Sequence, residues 1–187
     1  MSDIYIVKAD NVDEYTFSSL ITLLPDKEKQ RILLKRDNQA KINSLVAAFL
    51  IRYIIKKKFN IPFDEITILR DGKGKPYIKE RNDIDISISH SENIVACAVS
   101  KSPVGIDIQK IKEVSDSLIK RICSEEEVNE ISNSSDPVSS FINTWTKKEA
   151  ILKKKGTGIL DKEIKTCLNN EKVCSVKFED YWISYTI

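Results

Sequence analysis

Period-two alternation between residues 83 and 109 restricts the fold of this chain more than any other feature. In DIDISIS (83–89), Ile84, Ile86 and Ile88 point one way while Asp85, Ser87 and Ser89 point the other, the pattern of a half-buried strand. HSEN (90–93) makes a turn, NIVACAVS (93–100) returns, and VGIDIQ (104–109) follows Ser102 and Pro103, so the block reads as a three-strand meander. In the last strand Val104, Ile106 and Ile108 form an apolar face, whereas Asp107 and Gln109 line the opposite one. A carboxylate held there needs a compensating partner.

Upstream the period changes. Residues 3–8 (DIYIVK) read as a strand and 13–20 as a helix or an irregular approach to one. From Asp26 to Lys58 the pattern is helical, with Ile42, Leu45, Val46, Phe49, Leu50 and Tyr53 forming one apolar stripe, and Arg52 and Lys56 to Lys58 keeping its far end wet. Pro62 closes the helix, ITILRD (66–71) reads as a strand, and DGKGKP (71–76) as a turn. Downstream, 115–131 and 137–155 are helical, Ser124 is an N-cap ahead of Glu125, Glu126 and Glu127, and the tail from Glu163 holds two or three short strands, EIKTCL, KVCSVKF and YWISYTI. The seam between two halves falls at Pro103 and Val104, giving 1–103 and 104–187.

Composition excludes several classes. At 187 residues with 41% apolar content the chain builds a real core. Thirty Lys and Arg nearly cancel 28 Asp and Glu, so no global field drives it onto nucleic acid or an anionic membrane. The start, MSDIYIVKAD, lacks the pattern of a secretory signal, and no apolar run approaches the roughly 18 residues that span a bilayer; a cytoplasmic protein is expected. Cys97, Cys123, Cys167 and Cys174 show no C-x-x-C spacing and accompany a single histidine, His90, which argues against a zinc site and for reduced thiols, with two disulfides as the competing view.

Four stretches carry candidate chemistry. GKGKP (72–76) places Lys73 and Lys75 on a turn; SISHSEN (87–93) sets His90 at a strand end; VGIDIQ holds Asp107 on a strand where Gly105 leaves room for close approach. In TWTKKEAILKKKGTG (144–158), Trp145, Lys148, Glu149, Leu152 and Lys153 share a helix face. Each alone has a bland reading: an exposed turn, a surface histidine, a solvated carboxylate, a helix ion pair worth about 0.2 to 0.5 kcal/mol. Taken together, Asp107 and Glu149 are the pieces of a hard-metal site, since Mg²⁺ favours one or two carboxylates plus waters and phosphate oxygens. Lys75, His90, Lys148, Lys153, Lys154 and Lys155 are charges that hold phosphate, and a polyphosphate substrate fits.

The order GKGKP, SISHSEN, VGIDIQ and WTKKEAILK resembles the surfactin-synthetase type of 4′-phosphopantetheinyl transferase, from about Gly72 to Gly158 with the preceding long helix. The resemblance implies an enzyme that moves the phosphopantetheine arm of coenzyme A to a serine of an apo acyl or peptidyl carrier protein, releasing adenosine 3′,5′-bisphosphate. It implies that Asp107 and Glu149 bind Mg²⁺, that Lys153 contacts the transferred phosphate and that His90 holds the pyrophosphate. Lys75 and Pro76 would lie beside the nucleotide, with Ser89 and Lys148 as supporting contacts. Glu127 stands where relatives carry a glutamate proposed to help deprotonate the carrier serine, and Glu149, through a metal-bound water, is the competing base. The implied fold is α+β, two similar pseudo-symmetric halves, each a long helix on a small antiparallel sheet, with the active site in the cleft between them and the protein monomeric.

The chain departs from the family pattern in places. Gln109 stands where a third acidic residue is usual; its carbonyl can ligate Mg²⁺ without adding charge, so weaker metal affinity with retained activity is expected. Relatives often place an arginine for the 3′-phosphate near the position of Asn43, for which Lys27 or Lys41 would substitute, and the tail after Gly158 is shorter than in many relatives. Two other readings share these residues: a non-catalytic module that binds coenzyme A or a carrier, and an Mg²⁺-dependent hydrolase of nucleotide pyrophosphates. A nucleic-acid binder fits poorly, with a net charge of +2 and no basic face interleaved with aromatics.

Overall fold

The helical stretch from 26 to 58 is interrupted once, by chemistry visible in the sequence: Asp37 accepts hydrogen bonds from the backbone N–H groups of Gln39 (3.3 Å) and Ala40 (2.8 Å), and so starts a new helix. The structure, a computed structural model, describes residues 3–157 and 162–186. Met1, Ser2, Gly158 at the end of the lysine-rich motif and Ile187 of the expected YWISYTI strand lie outside the described residues. The chain divides into two compact units, Met1–Ser102 and Pro103–Ile187.

In the first unit, α1 (Glu14–Ile21), α2 (Asp26–Leu33) and α3 (Asn38–Phe59) accompany a five-stranded antiparallel sheet. Its strands are β1 (Asp3–Lys8), β2 (Ile68–Arg70), β3 (Pro76–Ile78), β4 (Asp85–Ser91) and β5 (Ile94–Ser100), in the order β1-β5-β4-β3-β2. The 22-residue α3 buries two faces instead of the single stripe expected. Ala47, Ile51, Ile54 and Ile55 pack on Ile86, Val95, Cys97 and Val99 of the sheet, while Leu45 and Ala48 pack against Ile21, Leu24 and Ile32 of the shorter helices. Tyr53, placed in the stripe by spacing, is 54% exposed. Arg52, expected to stay wet, is 1% exposed. Its guanidinium donates to Glu28 of α2 (2.7 and 3.3 Å) and to the carbonyls of Ala48 and Ile66, and lies 5.0 Å from the Phe63 ring centre. A buried charge is tolerated when it is paired and hydrogen-bonded; here both terminal nitrogens are engaged, while Nε has no partner among the described residues.

The second unit holds β6 (Ile106–Lys110), α4 (Asp116–Ile122), α5 (Glu125–Ser132), α6 (Pro137–Lys155), β7 (Val173–Phe178) and β8 (Tyr181–Thr186). Its three strands run antiparallel in the order β6-β8-β7. The expected three-strand meander is therefore only a hairpin of β4 and β5. VGIDIQ joins the second sheet, because the other edge of β5 is taken by β1. Ser124 breaks 115–131 into α4 and α5, closing a capping box in which it accepts from Glu127 N while Glu127 accepts from Ser124 N. EIKTCL is no strand: Ile164 and Cys167 sit three apart in 3₁₀ turns and are both buried, Ile164 among the apolar residues of α4, α5 and α6. All four cysteines are free thiols, with burial pushing those of Cys97, Cys123 and Cys167 up. Among the described residues no helix is long and apolar enough to cross a membrane. The class is α+β, with a long helix on an antiparallel sheet in each unit.

Candidate functional site

Asp107 sits in the middle of β6 and is 1% exposed. The partner it needs comes from α6: Lys153 Nζ donates to its Oδ1 at 2.7 Å, while Gln109 Nε2 donates to its Oδ2 at 3.3 Å. The two elements come this close because Gly105 faces α6; a Cβ there would stand 1.8 Å from the Ala150 carbonyl oxygen. Glu149, one turn before Lys153 on α6, is 8% exposed, and its Oε1 has no hydrogen-bond partner among the described residues. Burial, reinforced by the charge of Asp107, pushes the Glu149 carboxyl up to about 7, against the opposing influence of Lys153 and the Trp145 indole.

This donor set suits a hard divalent cation. It offers two electrostatically coupled carboxylates and an amide, and the Lys153 ammonium already stands as a positive charge against Asp107. The orphaned Glu149 oxygen is a buried acceptor awaiting a partner. Among the described residues no three His, Cys, Asp or Glu side chains converge as a metal centre, so any ion held here would complete its shell from water or a ligand's oxygens.

Lys148 and Glu127 meet elsewhere in the second unit. Lys148 is fully buried, and its ammonium donates to Glu127 Oε2 (2.6 Å) and to the carbonyls of Ile122 (3.0 Å), Ile164 (2.9 Å) and Lys165 (3.2 Å). Three N–H groups facing four acceptors leave nothing for a ligand. Lys148 thus ties α6 to the end of α4, to α5 and to the turn after α6, in place of the coenzyme contact that the resemblance implies. Glu127 Oε2 is engaged twice, by Lys148 and by Ser124 N, which counts against its acting as a base in this conformation. Of the other lysines of the motif, Lys154 pairs with Glu171 and Lys155 with Glu163.

In the first unit, His90 lines a small recess with Arg31, Lys35, Ser44 and Arg70, and with the Glu28 of the buried ion pair. Burial, and next the charge of Arg31, lower the pKa of Arg70. Two guanidiniums, with the charge of Arg31 disfavouring that of Arg70, make a place for an anion. Lys27 and Lys41, expected here, do not line this recess; Lys41 lines a different one with Asp13 and Glu14. Asn43 is spent on Gln39 (3.0 Å) and the Glu92 carbonyl (2.6 Å), and the next residue, Ser44, turns into the recess instead. Lys75 pairs with Asp85 at 2.9 Å, Pro76 is buried at the start of β3, and Ser89 is buried on β4 beside His90. Arg31, Lys35 and Arg70 carry no local signal, since they come from α2, the loop after it and the end of β2.

Comparison with known proteins follows the same division. Residues 11–102 match the family model "4′-phosphopantetheinyl transferase, N-terminal", and residues 103–185 match the model of the 4′-phosphopantetheinyl transferase superfamily. The chain is 34% identical over 163 residues to the 4′-phosphopantetheinyl transferase gsp of Aneurinibacillus migulanus, covering 85% of this chain and 68% of the relative. It is 30% identical over 145 residues to the transferase Sfp of Bacillus subtilis strain 168, covering 76% and 63%. A transferase of Bacillus pumilus is 33% identical over 120 residues, with 62% and 51% covered, so the chain spans 51% to 68% of the length of these relatives. A crystal structure of Helicobacter pylori holo-[acyl-carrier-protein] synthase in complex with coenzyme A matches 53% of this chain and 97% of its own, at 24% identity and a TM-score of 0.40.

Proposed function

Since the chain belongs to the 4′-phosphopantetheinyl transferase superfamily, we propose that it transfers the 4′-phosphopantetheine arm of coenzyme A to a serine of an apo acyl or peptidyl carrier protein, releasing adenosine 3′,5′-bisphosphate. The observation that carries this reading is the buried, coupled pair Asp107 and Glu149 with the Lys153 ammonium against it. The reaction is displacement at phosphorus, in which positioning and charge neutralisation do most of the catalysis. Asp107, Glu149 and the carbonyl of Gln109, once its amide turns over, would hold Mg²⁺, which when bound neutralises pyrophosphate charge.

Lys153 then leaves Asp107 for the transferred phosphate, exchanging one charge-assisted hydrogen bond for another. Of the two candidate bases for the carrier serine, Glu149 is the better one, because Glu127 Oε2 is already engaged by Lys148 and by Ser124 N. Arg31, Arg70, Lys35 and His90 suit the 3′-phosphate of coenzyme A, a dianionic monoester that takes more donors than a diester does.

The test is to incubate the protein with coenzyme A, Mg²⁺ and an apo carrier and to weigh the carrier by mass spectrometry. A gain of one phosphopantetheine is expected. Adenosine bisphosphate without carrier modification would select a hydrolase, and neither product a binding module; either would overturn the proposal.

A further inference from the structure

The face of the three-stranded sheet that meets α6 is polar where a helix-on-sheet interface is ordinarily apolar. Gly105 lies under Ala150 of α6, so Asp107, two residues on, faces the same helix. Directly opposite Asp107 on β8 is Ser184, and opposite Ser184 on β7 is Ser175, so the three share that face. Ser184 Oγ lies 2.8 Å from Thr146 Oγ1 of α6 and 2.7 Å from Ser175 Oγ. Ser184 and Thr146 are both fully buried.

Counting protons gives this chain of hydroxyls a direction. Each hydroxyl has one proton to donate and two lone pairs. Thr146 donates its proton to the carbonyl oxygen of Asn143, 3.0 Å away. Its oxygen therefore accepts from Ser184, whose own proton is thereby spent, and Ser184 accepts from Ser175. The run goes from Ser175 through Ser184 and Thr146 to Asn143, and the Ser184 proton points away from Asp107.

We infer that Thr146 is a positioning residue: by accepting the Ser184 proton it keeps that hydroxyl from competing with a divalent cation for Asp107. The inference rests on the metal reading of Asp107 and Glu149 proposed above. A Ser184 hydroxyl deprived of its acceptor reaches Asp107, because directly opposed Cβ atoms lie only about 4.5–5.5 Å apart. A donor bonded there competes with the cation for the same oxygen, and changes in such outer partners weaken metal binding by about 10- to 100-fold.

The test measures Mn²⁺ binding to the intact protein by electron paramagnetic resonance of the free ion, with a thermal melt on each variant. Thr146→Val should weaken Mn²⁺ binding by about tenfold. Thr146→Ser, which keeps the acceptor, should bind as wild type. Adding Ser184→Ala to Thr146→Val should restore binding, because the competing hydroxyl is gone. A purely structural role for Thr146 predicts the opposite for the double variant, further loss or none regained. Wild-type affinity in Thr146→Val, or a double variant as weak as Thr146→Val, would overturn the inference. Wild-type protein whose Mn²⁺ binding is absent, or unaffected by Asp107→Asn, would overturn the metal reading and this inference with it.

Discussion

Gly105→Ala tests how tightly β6 and α6 must approach for the carboxylate site to exist. The added Cβ would stand 1.8 Å from Ala150 O, 2.7 Å from Lys154 N and 2.9 Å from Ala150 C, all backbone atoms of α6 that no side-chain rotation can move. Ordinary contact begins near 3.4 Å, so strand and helix must part by the difference from 1.8 Å, roughly 1.6 Å. Overpacking of this kind costs about 1–3 kcal/mol, and a rigid backbone on both sides puts this case at the upper end. At roughly 2–4 °C per kcal/mol for a chain of this size, the melting temperature should fall by about 6–12 °C. The same parting strains the 2.7 Å bond from Lys153 to Asp107, since Lys154 and Ala150 are sequence neighbours of Lys153 and Glu149. A misplacement of about 1 Å can cost on the order of 100-fold in rate, so transfer should fall at least that far at temperatures where the variant is still folded. The assays are a thermal melt and the rate of carrier modification by mass spectrometry. A variant melting within about 2 °C of wild type with an unchanged rate would refute the claimed closeness of the two elements.

Three further outcomes follow from the same geometry. The folded protein holds a proton on Glu149, pushed up to about 7, that the unfolded chain releases near 4.5, so this group costs stability increasingly as pH rises from about 4.5 to 7. Glu149→Gln should therefore raise the melting temperature of ligand-free protein at pH 8 by the equivalent of about 2–3 kcal/mol and leave it nearly unchanged at pH 4.5; equal effects at both would refute the assignment. Lys148→Met leaves Glu127 and three carbonyls without their donor and should destabilise by about 3–5 kcal/mol. A Lys148→Met melt close to wild type with weakened coenzyme A binding would instead make it a ligand contact. Arg31→Ala should hold or raise stability by relieving Arg70, while weakening coenzyme A about tenfold and sparing 3′-dephospho-coenzyme A, as read by calorimetry; equal loss for both ligands would reject the recess as the 3′-phosphate site.

Short-range chemistry was legible from the residues alone. The alternation of DIDISIS and NIVACAVS, the Asp71 to Lys75 turn closed by a 3.0 Å bond, and the Ser124 cap each depend on neighbours a few positions away. So did the grouping of Glu149 with Lys153, because the helical repeat alone sets them on one face. The tertiary structure decided what is done with the charges. Arg52 and Lys148 look like ordinary charged residues of lysine-rich helices until Glu28 pairs with the one, and Glu127 with three distant carbonyls takes up the ammonium of the other. Arg31 and Arg70 line one recess from α2 and β2, and VGIDIQ leaves its expected meander because β1 has already claimed the free edge. The physical reason is the same throughout: periodicity and capping are settled within a few residues, whereas burying a charge or filling a strand edge needs partners that only the folded chain brings together.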